Sequence, residues 1–315
     1  MNKFTMRTGT IKTMGAFADT IKRCVKLSLG ENYEVQIQES RKNNDVLLTG
    51  ILIKEKNARV APVIHLDGAF EAYKNGSSLV SICNEIIRVY KENNNAGMCD
   101  ISEIMEYEKI RDKICYRLVN AERNKAMLEE TPHVIFHDLA IIFYVEVFQN
   151  AETRGTLTVS NEMMKVWKKN ALAIVKDAVA NTEAMLEGSV VHMMDLLEKL
   201  QESLAVNLDF EDFSNIGFKE LFPMYVASNK TGVNGAAVML YTDFLENFAD
   251  EISNSFYILP SSIHELIFIP AYPDMDIEYF KSMVKEINIL SVLPEEVLSD
   301  SIYYFDRESG LLIKM

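Results

Sequence analysis

Tyr257-Ile258-Leu259-Pro260-Ser261-Ser262-Ile263-His264-Glu265-Leu266-Ile267-Phe268-Ile269-Pro270 is a β-prone apolar run that carries two hydroxyls, an imidazole and a carboxylate in its middle. Its β-branched and aromatic residues predict strand. A buried hydroxyl or imidazole without a partner costs roughly 1 to 3 kcal/mol. Ser261, Ser262, His264 and Glu265 therefore either bond to the fold or face a solvent-lined cleft. Alternation along a strand would put Ser262 and His264 on one face, and Ser261 and Glu265 on the other. Pro260 and Pro270 bracket the run, so both ends leave the sheet sharply.

Immediately upstream, Met224 to Asn229 and Ala236 to Tyr241 read as a hairpin. Its turn would use Gly232, Asn234 and Gly235 for positive backbone angles. Asp243 then caps a helix to Ile252, and a helix from Asp276 to Asn288 precedes a terminal hairpin of Ile302 to Phe305 with Leu311 to Lys314. In the middle of the chain, Leu139 to Phe148 is strand-like and returns through a turn near Asn150 to Gly155 into Thr156 to Val159. Ser160 caps a helix through Trp167 to about Leu186, and Gly188 separates it from a second helix. That second helix carries Met193, Leu197, Leu200 and Leu204 in a seam read as core.

At the start, Ile11, Met14, Phe17, Ala18, Ile21, Val25 and Leu29 recur at three- and four-residue spacing, an amphipathic helix over Ile11 to Leu29 ended by Gly30. Tyr33 to Gln38, Val46 to Ile53 and Val60 to Leu66 follow as strands. Asp67 caps a short helix closed at Asn75-Gly76, Ser77 or Ser78 opens another to Lys91, and the residues from Asn93 to Gly97 read as a loop. Hairpin followed by helix recurs three times. The predicted class is α+β: antiparallel sheets built from hairpin-helix units, with helices packed on one face. Thr131-Pro132 suggests a boundary between an N-terminal lobe, 1-128, and a C-terminal lobe, 129-315, unless the two form one continuous domain.

The composition of these 315 residues, 48% hydrophobic and 25% charged, is that of an ordinary globular protein. No stretch approaches the roughly 18 to 20 apolar residues of a membrane span, and no signal-peptide run opens the chain, so a cytoplasmic protein without a membrane partner is expected. Cys24, Cys83, Cys99 and Cys115 form no Cys-x-x-Cys pair and read as reduced thiols. The net charge is −14, and from Gln201 to Met315 there are 19 acidic against 6 basic residues. Such a surface repels a phosphate backbone and argues against nucleic acid as a partner. A protein partner or self-association is left open.

His133 and His137 have a chelating interval only on a helix. On a strand they stand about 13 Å apart, too far for one ion, and their apolar neighbours favour strand. No metal and no cofactor is expected. His264-Glu265 opens like a zinc-protease motif, but Phe268 stands where the second histidine belongs. A serine hydrolase would need a nucleophile elbow and an oxyanion hole, and no Gly-x-Ser-x-Gly is present. The loop from Asn229 to Ala237 lacks the lysine and hydroxyl that follow the last glycine of a phosphate loop.

Several stretches form a set. They are Pro62-Val63-Ile64-His65-Leu66-Asp67 with Tyr73 and Gly76; Arg117-Leu118-Val119-Asn120 with Arg123-Asn124; and Asp138-Leu139-Ala140-Ile141. Leu157-Thr158-Val159-Ser160-Asn161-Glu162 with Trp167, Ser228-Asn229 with Gly235-Ala236-Ala237, and Leu259 to Glu265 complete the set. Together these stretches resemble a bacterial family catalogued as domain of unknown function 5688; the resemblance implies an intracellular α/β protein and assigns no activity. It directs attention to Asn229 and the His264 segment, expected in neighbouring strands of one sheet. Asn229, Ser262, His264 and Glu265 are the candidate binding cleft. With no complete catalytic signature, the reading is a non-catalytic binding or interaction protein; the alternative is a hydrolase using His264 with Glu265 or a serine.

Overall fold

The computed structural model describes residues 11–56, 63–94, 101–149, 154–204 and 223–315. The chain forms two compact units, and the first comprises residues 1–42, 46–98 and 148–152. In it, α1 (Met14–Leu29) starts where the Thr13 hydroxyl accepts from the Ala16 N–H and stops at Gly30, whose φ of 85° only glycine adopts freely. Its buried stripe of Phe17, Ala18, Ile21 and Val25 packs on the three-stranded antiparallel sheet β1 (Tyr33–Arg41), β2 (Leu47–Glu55) and β3 (Val63–His65). The core closes with α2 (Asp67–Lys74) through Phe70 and with α3 (Leu79–Asn94) through Ile82, Cys83, Ile86 and Tyr90. Asp67 lies in the first turn of α2 and makes no capping hydrogen bond; Leu66 occupies the cap position expected for it. Ser78 does cap α3, accepting from the Ser81 N–H at 3.1 Å.

The second unit comprises 43–45, 99–147 and 153–315. Short helices α4 (Ile101–Ile104) and α5 (Tyr107–Ile110) lead into β4 (Ile114–Asn120), α6 (Lys125–Glu130), β5 (His133–Phe136), β6 (Leu139–Gln149) and β7 (Arg154–Thr158). These strands form a sheet in the order β4-β6-β5, with β7 also on β6. Because β4 and β6 pair from Ile114↔Val145 to Asn120↔Leu139, the expected lobe boundary at 128/129 falls inside one unit and one sheet. Next come α7 (Asn161–Trp167), capped by Ser160, and α8 (Ala171–Met185), capped by Asn170. The single helix expected here is broken at Lys168, which turns left-handed at φ 56°. Thr182 of α8 covers the edge of β4, its hydroxyl accepting from the Tyr116 N–H at 2.9 Å.

A six-stranded antiparallel sheet follows, built from β8 (Gly188–His192), β9 (Tyr225–Asn229), β10 (Phe256–Pro260), β11 (Leu266–Pro270), β12 (Tyr303–Asp306) and β13 (Leu311–Lys314). Its order is β13-β12-β10-β11-β9-β8. Among the described residues three helices accompany it: α9 (Met193–Leu204), α10 (Thr242–Glu251) and α11 (Ile277–Leu290), the last capped by Asp276. The class is α+β with antiparallel sheets, as expected. Phe248, Phe256, Phe268 and Phe305 form the aromatic centre of the core, with ring centroids 4.8 to 5.3 Å apart.

Four further expectations change. β8 was unforeseen. The expected second strand of the Met224–Tyr241 hairpin is a 3-10 helix, Gly235–Leu240, whose apolar residues from Ala236 to Met239 are all buried. Of the seam on α9, Met193 and Leu197 are half-buried rather than closed core, and Leu200 is 45% exposed. The apolar run that predicted one strand is a hairpin, β10 and β11, turning through Ser261–Glu265. The expected loop at 93–97 and the turn at 150–155 lie largely outside the described residues.

A polar knot within the second unit is centred on buried Asn124. Its Oδ1 accepts from the Asn44 N–H at 2.7 Å, and its Nδ2 donates to the side chains of Asn43 and Asn44 and to the Asn120 carbonyl. Asn44 in turn donates to the carbonyls of Pro294 and Val297, each at 2.7 Å. Amides suit this position because each supplies donors and acceptors together without charge.

Candidate functional site

The site is built where β9 ends and β11 begins, strands paired in register from Ala227↔Leu266 to Tyr225↔Phe268. Buried Asn229 closes the loop after β9. Its Oδ1 accepts from the Thr231 N–H at 2.9 Å and hydroxyl at 2.7 Å, and its Nδ2 donates to the Val233 carbonyl at 2.8 Å. This bends the chain through Gly232 (φ 68°) and Asn234 (φ 53°), and aims the Asn234 N–H at Nδ1 of His264, 3.1 Å away.

Gly235 serves closeness rather than a positive angle. A Cβ there would collide with the Ser228 hydroxyl and the His264 carbonyl and lie 2.8 Å from the Asn229 nitrogen. That contact lets the Ser228 hydroxyl donate to the His264 carbonyl at 2.7 Å. In the turn, the Ser262 hydroxyl accepts from the His264 N–H at 3.0 Å, and the Ser261 hydroxyl donates to the Glu265 carboxylate at 3.1 Å. The N–H groups of Ser261 and Ser262 both donate to the Glu265 carbonyl.

The four residues chosen from sequence thus meet in one place, but in roles that strand alternation did not foresee. They occupy a turn, so the two-face argument does not apply. His264 pairs with Glu296, not Glu265: Nε2 stands 3.7 Å from the Glu296 carboxylate, with side chains 32% and 37% exposed. The Ile263 N–H anchors that segment by donating to the Glu296 carbonyl at 2.8 Å. Sequence reasoning missed Glu296, Asn234 and Ser228. The available signal was that Ser228-Asn229, Gly235-Ala236-Ala237 and Leu259–Glu265, three stretches of the family resemblance, converge here.

The chemistry follows from the acceptor role of Nδ1, which places the proton of the neutral ring on Nε2, facing Glu296 and solvent. A hydrolytic triad needs one imidazole nitrogen on a hydroxyl and the other on a carboxylate. Here Nδ1 is taken by backbone, the hydroxyls of Ser228, Ser261 and Ser262 serve the turn, and Glu265 is held by Ser261. What faces outward is a donor, the Nε2–H of His264, beside the Glu296 carboxylate.

The other two histidines flagged by spacing diverge. His133, on β5, bonds through Nδ1 to the Thr131 carbonyl at 2.8 Å, whereas His137 lies beyond the strand at φ 54° and meets the Leu312 carbonyl. Asp138 accepts from Ser299 and Tyr303 at 2.7 and 2.9 Å. Burial alone would raise its pKa, but these bonds and Lys314 hold it below the usual carboxylate range.

No curated protein and no solved structure matches the chain. A family of unknown function (DUF5688) matches over residues 14–307, nearly the whole length, and the chain belongs to that family.

Proposed function

We propose that the chain is a non-catalytic binding or interaction protein of the bacterial cytoplasm, and that Asn229, Ser262, His264 and Glu265, joined by Glu296, form its binding surface. One observation carries this reading: the turn engages the Ser228 and Ser261 hydroxyls as donors, the Ser262 hydroxyl as an acceptor and Nδ1 of His264, leaving Nε2 and the Glu296 carboxylate half-exposed. Such a surface recognises by hydrogen bonding and supplies no aligned nucleophile. The acidic balance of the chain favours a partner that is neutral or basic where it docks. Among the described residues no helix is long and apolar enough to cross a membrane.

The catalytic half of the question is tested with chromogenic esters, amides and phosphoesters. The expected result is no turnover that distinguishes wild type from His264→Ala. Turnover abolished in that variant, with its fold intact, would contradict the proposal and restore the hydrolase reading.

A further inference from the structure

Arg117 stands in the middle of β4, where the register sets it opposite Ile142 of β6; Ile142 is in turn opposite His133 of β5. Residues paired across strands share a face, and so do residues two apart. One face of this sheet therefore carries Arg117, His133 and Tyr144 around Ile142, which is 0% exposed. The opposite face, with Tyr116, Leu118 and Phe143, belongs to the main core. From β7, the Thr158 hydroxyl accepts from Nη2 of Arg117 at 3.0 Å. The guanidinium carbon lies 5.7 Å from the centroid of the Tyr144 ring.

A guanidinium has five N–H donors and is costly to withdraw from water without a counter-charge. Among the described residues, Arg117 meets only that neutral hydroxyl and that ring. Arg88, Arg111, Arg123 and Arg307, each at least 37% exposed, all have a carboxylate within 4.0 Å. Arg117, half-buried in the sheet, has none among the described residues. Burial pulls its pKa below the ordinary arginine range.

We propose that Arg117, seated on Tyr144 and oriented by Thr158, is the receptor for an anionic group, a carboxylate or phosphate, of a small-molecule ligand. His133 is the second contact. Strand spacing sets its Cα about 10 Å from that of Arg117, a span suited to a small acid. With Nδ1 of His133 donating to the Thr131 carbonyl, the neutral ring offers Nε2 as an acceptor for a ligand hydroxyl or acid proton. This site is independent of the His264 surface.

The test is a thermal-shift and calorimetric titration of the full chain with inorganic phosphate and with short mono- and dicarboxylates, against chloride at equal ionic strength. The expected result is a saturable stabilisation by one of these anions beyond chloride. It should weaken on the order of tenfold in Arg117→Lys, which loses the planar fork, and persist in His264→Ala. Whether phosphate or carboxylate acts names the ligand class. No anion-specific shift in wild type, with Arg117→Met melting at or above wild type, would overturn the proposal.

Should the variants fail to fold, phenylglyoxal modification of wild type with peptide mapping decides. Protection of Arg117 by the active anion supports the site; an Arg117 rate unchanged under saturating phosphate and carboxylate contradicts it.

Discussion

The backbone N–H of Asn234 donates to Nδ1 of His264 at 3.1 Å, so a left-handed residue in one loop fixes the tautomer of an imidazole in the next. The bond depends on Asn229, which shapes the first loop, and on Gly235, which lets the two loops touch.

Gly235→Ala tests the contact. Its Cβ would displace Ser228 and the His264 carbonyl, costing on the order of 3 kcal/mol by urea unfolding. Gly15→Ala is the control: it lies in α1 with nothing within 4 Å of a new Cβ, and should gain about 0.5 to 1 kcal/mol. Equal behaviour of the two variants would contradict the close approach.

Asn124→Ala removes the centre of the polar knot and strands the Asn44 N–H, for an expected loss of about 2 to 4 kcal/mol in denaturant midpoint analysis. Asn124→Asp should be worse, since it sets a carboxylate against two side-chain amide oxygens and the Asn120 carbonyl. A stable aspartate variant would show that the knot is not formed as described.

The depressed pKa of Asp138 gives a signed pH dependence. A carboxylate whose folded pKa lies below its unfolded value, about 3.9, contributes stability above that value and loses it as pH falls through the folded pKa. Asp138→Asn should therefore be less stable than wild type near neutrality, and the gap should narrow as pH falls below the unfolded value of about 3.9. Parallel unfolding curves for the two proteins across that window would count against the bonds from Ser299 and Tyr303.

Burial, then the neighbouring Cys24, pushes the Cys83 thiol up to about 12. The native chain should leave Cys83 unmodified by iodoacetamide near pH 8 and modify it only after unfolding, as read by peptide mass spectrometry. Native modification at the rate of a free thiol would contradict the packing of α3 against α1.

Much of this fold was legible in the sequence because its helices carry apolar residues at regular intervals and are capped by Thr13, Ser160 and Asp276. The Ser261–Glu265 turn was hidden because both flanking strands are buried on nearly every residue. Without alternation, two five-residue strands and a turn read as one long strand. The same ambiguity made strand of Gly235–Leu240, whose buried Ala-Ala-Val-Met run has no period. Of the site, the polar residues of the turn were visible because they interrupt an apolar run. Glu296 was not, because a half-exposed glutamate two residues after Pro294 carries no local sign of the imidazole it will meet.

The central claim is that the His264–Glu296 surface binds a ligand. It is tested most directly by a thermal-shift screen of wild type, His264→Ala and Glu296→Gln against metabolites, nucleotides, divalent metals and short peptides. A ligand at about a hundred times its Kd adds about 2.7 kcal/mol, or roughly 4 °C for a chain of this size. The account predicts a shift of that order in wild type that disappears in both variants. Variants that merely melt lower, with wild type unmoved by every compound, would make His264 a fastener of the β10–β11 turn and contradict the claim.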